Sequence, residues 1–331
     1  MTHIWVPRAK IIEPRRELRV TNGLCGRFKL EAERPDGQRR LLADWFPNLI
    51  TNAGLNRIGA SGDWLTACAV GTGSAVPNFN DTTLSSQVAS TTSIQASSRS
   101  AQSDPPYYAS ITKTYRFAQG AAAGNLTEVG IGWSGSPLNL FSRALILDDE
   151  GNPTTITVLE DEFLDVSYEF RVYPPESDVM GQVNIGGVDR DTVRRAAQVT
   201  NTLWVPEGNG YVGGIFAGTG TVKEVRAYNG ALGDVTGAPA GSSSARSSVS
   251  NNSYANDTFY REATVTWGLD AGNLAGGITA ITFGLGSAGG SLAGLGAMQM
   301  SFDPPIAKTN QETLSLVLRH TWGRKTLSEQ S

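Results

Sequence analysis

Two short phrases recur along this 331-residue chain at nearly one spacing. Gly71-Thr72-Gly73 returns as Gly218-Thr219-Gly220, 147 residues on, and "AGNL" at 123–126 returns at 271–274, 148 residues on. Unrelated matches rarely share an offset, so the two halves read as copies of one unit. The flanking patterns agree. "YYASITKTYRF" answers "FYREATVTWGL", "LTEVGIGW" answers "GGITAITFGL", "LFSRALIL" answers "LGAMQMSF", and "DEFLDVSYEFRVY" answers "QETLSLVLRHTW". Each alternates apolar and polar residues, as strands with one buried face do. The repeat therefore predicts two β-sandwiches of about a hundred residues each. Their expected spans are 63–175 and 200–325, with a linker at 176–199 that holds a small hairpin and a tail at 326–331.

Glycine, serine and threonine are spread throughout and helix-forming runs are scarce, so the fold class is all-β with little helix. A net charge of −4 gives no global support to nucleic-acid binding, which needs a basic surface to displace counterions. No apolar run approaches the roughly 20 residues that cross a bilayer, and "MTHIWVPRAK" lacks the apolar core of a secretory signal. The expectation is a soluble protein made in the cytosol, without membrane insertion. Cys25 and Cys68 then read as buried free thiols.

Residues 1–43 differ from the rest, with ten Lys and Arg against five Asp and Glu. Within them Phe28, Leu30 and Ala32 alternate toward one face. Pro35-Asp36-Gly37 turns the chain, and Leu41 and Leu42 return it, which is a hairpin signature. An isolated hairpin is marginal in water, so this one must lie on its own body or on another subunit. The expectation is a basic β-hairpin arm (1–43) joined to the body by a helical hinge (44–62). In that hinge Trp45 and Phe46 close the hairpin, Pro47 breaks the strand, Leu49, Ile50, Leu55 and Ile58 point inward, and Gly59 caps the helix. Arg15, Arg16, Arg27, Trp45 and Phe46 are the candidate assembly contacts.

Catalytic patterns are weak, and no catalytic residue, cofactor or metal is assigned. "GLGSAG" (284–289) fits a dinucleotide fingerprint, but the glycine-rich sequence after it makes no helix to hold a pyrophosphate. "VGTGSAV" lacks the third glycine. "GWSGS" (132–136) lacks the last glycine of a nucleophile elbow. The two histidines are His3, in a tail, and His320, on the Leu-rich face of the last strand, where packing explains it better than a triad does. Asp148-Asp149-Glu150 and Glu160-Asp161-Glu162 with Asp165 could bind calcium or act as paired carboxylates. A solvated turn at "DDEGNP" followed by charges that guard a strand edge is the preferred reading. Tyr107-Tyr108 and Phe259-Tyr260 fall at corresponding places in the two copies. They are candidate receptor contacts, although their equivalence favours a shared packing role.

"DWFPNLITNAGLNRIG", "GDWLTACAVGTGSAVPNFNDTTL", "YRFAQGAAAGNLTEVGIGW" and "LFSRALILDDEGNPTTITVLEDEFLDVSYEFRVYPP" together resemble structural proteins of tailed bacteriophages and prophages, of the tail, tail-tip or tail-fibre-associated kind. The likeness runs through most of the chain and is strongest over 44–175. It implies a non-enzymatic virion component at the tail tip, baseplate or fibre attachment. Its implied partners are other tail proteins and further copies of itself as a trimer or hexamer. Two alternatives stay open: a receptor-binding tail module that recognises polysaccharide or pilus, and a protein that decorates or cements the capsid.

Overall fold

The computed structural model describes residues 10–12, 18–60, 63–200, 224–285 and 296–325. It is all-β apart from one short helix. Strand β1 (Lys10–Ile12) is followed by the hairpin of β2 (Leu18–Glu33) and β3 (Arg39–Pro47), then β4 (Leu49–Ile50) and α1 (Asn52–Gly59). The first half continues with β5 (Ala67–Gly71), β6 (Gln87–Thr91), β7 (Ile94–Ala101), β8 (Ala109–Phe117), β9 (Gly124–Leu126), β10 (Glu128–Trp133), β11 (Asn139–Leu145), β12 (Ile156–Val158) and β13 (Phe163–Tyr173). The hairpin β14 (Val179–Ile185) and β15 (Val188–Ala197) leads into the second half. There follow β16 (Glu224–Tyr228), β17 (Ser243–Ala245), β18 (Ser248–Asn251), β19 (Tyr260–Trp267), β20 (Ile278–Leu285), β21 (Ala297–Ile306) and β22 (Glu312–Arg324).

One large sheet runs β18-β19-β22-β2-β13-β8-β7, with β1 beside β22 and β3 beside β2. Three smaller sheets accompany it among the described residues, β4-β11-β10-β5-β6, β14-β15-β21-β20-β16-β17 and the two-stranded β12-β9. The halves are wired alike. β7-β8-β13 and β18-β19-β22 form the two wings of the large sheet, and β6-β5-β10-β11 and β17-β16-β20-β21 belong to the first two smaller ones. The four matched sequence pairs fall on β8 and β19, β10 and β20, β11 and β21, and β13 and β22. The second GTG, at 218–220, lies outside the described residues.

The expected basic arm is corrected. β2 is the centre of the large sheet, antiparallel to β13 from Glu33↔Phe163 to Gly23↔Tyr173 and parallel to β22 from Leu18↔Leu318 to Leu24↔Arg324. Phe28, Leu30 and Ala32 do point inward and Arg27, Lys29, Glu31 and Glu33 outward, as the alternation requires. A strand with an apolar inner face and two long neighbours has its place inside the sheet.

The hinge is corrected too. Leu49 and Ile50 form a strand, and Thr51 caps the helix by accepting from the Gly54 amide at 2.9 Å. Gly59 is the last helical residue and Ala60 the cap, so Gly59 is not needed for a left-handed turn. It is needed because the Tyr254 ring occupies the space of a Cβ. Leu55 and Ile58 are buried as expected. Trp322 Nε1 donates to the Leu55 carbonyl at 3.0 Å and the Arg261 guanidinium to that of Gly59 at 2.6 Å. The segment is thus a packed bridge between the halves. The 176–199 linker also becomes structure, since β15 pairs with β21.

A continuous core joins the layers. Phe141 of β11 meets Phe170 of β13 edge-on at 5.6 Å, and Trp64 lies 4.8 Å from Phe141 and 5.1 Å from Phe170. Cys25 and Cys68 are buried, and burial pushes the Cys68 thiol up.

Candidate functional site: an anchored surface loop

Residues 72–86 join β5 to β6, a long connection for two adjacent antiparallel strands. Two charged side chains from the neighbouring strands, both buried, hold it. Glu128, the first residue of β10, accepts on Oε1 from the amides of Gly73 (3.1 Å) and Ser86 (2.7 Å). Its Oε2 accepts from the Ser85 amide (3.1 Å) and from Arg143 Nη2 (2.8 Å). Arg143, on β11, also donates to Asp81 Oδ2 (2.8 Å) and the Ala75 carbonyl (3.0 Å). A buried ion pair costs desolvation, which is offset only where the remaining donors and acceptors are met, as they are on this carboxylate.

The glycines of Gly71-Thr72-Gly73 follow from this geometry. At either position a Cβ would run into Glu128 Oε1. Thr127 Oγ1 donates to the Gly73 carbonyl at 2.8 Å, and the Asn52 amide to that of Phe79 at 2.7 Å. The Arg324 guanidinium lies 4.1 Å from the centre of the Phe79 ring. The result is a fixed loop with an apolar tip: Val76 is 80% exposed and Phe79 50%. The second half uses a related device, in which Gln299 of β21 donates to the Ala196, Gly233 and Asp234 carbonyls and accepts from the Gly233 amide.

The candidates read from the sequence scatter. Arg15 and Arg16 lie outside the described residues. Arg27 pairs with Glu169 and stacks 4.6 Å from the Trp45 ring centre, while Phe46 belongs to the core. The Arg171 guanidinium covers the Tyr108 ring at 4.3 Å and that of Arg319 covers Tyr260 at 3.8 Å. Tyr107 and Phe259 pack against the core. All four aromatics are half-buried, and two of the rings are covered by a guanidinium group. His3 and 286–289 of "GLGSAG" are outside the described residues.

The second acidic cluster and the basic N-terminal segment turn out to be one network. Glu162 accepts twice from Arg40, at 2.8 and 2.6 Å, which holds its carboxyl down to about 2. Asp165 accepts from Arg116 at 2.8 and 2.7 Å and from Arg39 at 3.3 Å. Glu33 joins both arginines, and hydrogen bonding from Arg116 and then Arg39 lowers its pKa. Asp148 receives the amides of Glu150 and Asn152 in a tight turn with Gly151 at φ +82°. Among the described residues no group of three or more His, Cys, Asp or Glu is placed to hold a metal.

His320 is wholly buried. Its Nε2 shares a 2.7 Å hydrogen bond with Asn22 Oδ1, and burial pushes its pKa down to about 3. It faces Asn22 of β2 within the sheet.

Comparison with family models, with curated proteins and with solved structures gives no match for this chain.

Proposed function

We propose that the chain is a non-enzymatic structural protein of a bacteriophage tail that docks on its neighbours through the 72–86 loop. The observation that carries this reading is the buried Glu128–Arg143 pair beneath an exposed Val76. An apolar tip that is ordered before contact loses little conformational freedom on binding, which is what a central interface residue requires. The resemblance of "GDWLTACAVGTGSAVPNFNDTTL" to tail-protein sequence covers this same loop. The loop is favoured over Arg27, Arg39 and Arg40 as the docking element, because those three are paired with this chain's own carboxylates.

The test is Val76→Asp in the particle that carries the protein. The variant is expected to fold as the wild type does, since Val76 is exposed, and to be lost from purified tails. Normal incorporation would refute the docking role, and recovery of the wild-type protein on heads would refute the tail assignment in favour of capsid decoration.

A further inference from the structure

A cleft of about 270 Å³ opens where the β14–β15 hairpin meets the large sheet, lined by Arg19, Thr21, Pro175, Val179, Arg194 and Met298. That is roughly nine water volumes, enough for a group of several heavy atoms. Two arginines from separate elements meet here. Arg194 Nη1 donates to the Arg19 carbonyl at 2.7 Å, and its Nη2 reaches the Met180 carbonyl at 3.3 Å. Its guanidinium lies over Gly181, where a Cβ would crowd it at 2.8 Å. Arg194 Nε is shielded from solvent with no protein partner. Burial first, and then the like charge of Arg19, lowers the Arg194 pKa.

Among the described residues no carboxylate forms an ion pair with either arginine. Of the described acids beside Pro175 and Val179, Asp178 pairs with Arg195 and Glu176 with Lys325. This sets the cleft apart from the similar-sized one at Arg34, Arg39 and Arg40, which already contains Glu162. Two guanidinium groups with no paired carboxylate among the described residues favour an oxyanion. Pro175 and Val179 offer an apolar flank with the buried Met298 behind it, which suits an amphiphile better than a fully hydrated ion.

We propose that this cleft is a binding site for a carboxylate carried on a short apolar group. Methionine methyl groups report on it directly, because the chain has four methionines and Met298 lines the cleft. The full-length protein, labelled at its methionine methyls, is titrated with hexanoate, hexanol or sulfate at constant ionic strength and followed by NMR. Hexanoate is expected to shift Met298 saturably and to leave Met300 in place, with hexanol and sulfate at least about tenfold weaker. Arg19→Gln, which removes an exposed charge, is expected to weaken hexanoate about tenfold. Arg194→Gln should weaken it further but also frees the hairpin, so Arg19→Gln is the deciding variant. An unmoved Met298, equal binding of hexanol, or unchanged affinity in Arg19→Gln would overturn the site. Sulfate binding as tightly as hexanoate would overturn the assigned ligand class.

Discussion

Replacing Glu128 by Gln keeps the shape of the side chain and removes its charge. The amide cannot satisfy the site in either orientation. Both carboxylate oxygens accept from two donors, so whichever becomes NH2 faces two N–H groups. Arg143 is left 2% exposed with Asp81 as its remaining carboxylate. Removing one partner of a buried pair costs about 3–5 kcal/mol, and the surviving Asp81 contact places this case near the lower end. For a chain of this size that is a fall in Tm of roughly 6 °C, at about 2 °C per kcal/mol. The assay is a thermal melt paired with limited chymotrypsin digestion, because release of the loop exposes the bond after Phe79. Adding Arg143→Met, which removes the orphaned charge, should recover about 1–2 kcal/mol of the loss. A Tm within about 1 °C of wild type and no cut after Phe79 would show that the pair does not anchor the loop.

Deleting residues 1–47 removes the centre of the large sheet and is expected to abolish folding; a soluble product with a β-type circular dichroism spectrum would contradict this. His320 titrates near 6.5 unfolded and near 3 folded, so its contribution is complete above pH 6.5 and lost progressively as pH falls toward 3. The difference in Tm between wild type and His320→Gln should therefore narrow on acidification from pH 7 to pH 4, and a constant difference would refute it. Glu162 has the same sign: its stabilisation is present above its unfolded value near 4.5 and lost as pH falls through about 2, so Glu162→Gln should cost stability at pH 7 and much less near pH 2.

Alternation made the strands legible, and the matched pairs fall on four strands in each half. What it could not give was the partner of β2. A strand with one apolar face reads the same at an edge, on another subunit or at the centre of a sheet, because pairing is decided by backbone groups that every residue shares. One signal is present in the sequence but split in two. Along the chain Arg39 and Arg40 read as part of an external basic surface and Glu162 and Asp165 as a candidate cation site, while the fold joins them through Arg40–Glu162 and Arg39–Asp165. The loop anchor has a weaker sign. Glu128 and Arg143 are the charged residues of two buried strands, where a charge needs a buried partner.

The parallel pairing of β2 with β22 ties nearly the first strand made to the last. On the ribosome, β2, β3, β13 and β8 can assemble once residue 173 has emerged, but Leu18–Leu24 of β2, beyond the stretch that β3 covers, stays without its β22 partner until the chain reaches residue 324. Over that interval the nascent protein displays an open, apolar-backed strand edge of the kind that recruits other chains. Slow synthesis of the second half, or a truncation within it, would therefore lead to aggregation through β2 rather than to a stable half-molecule.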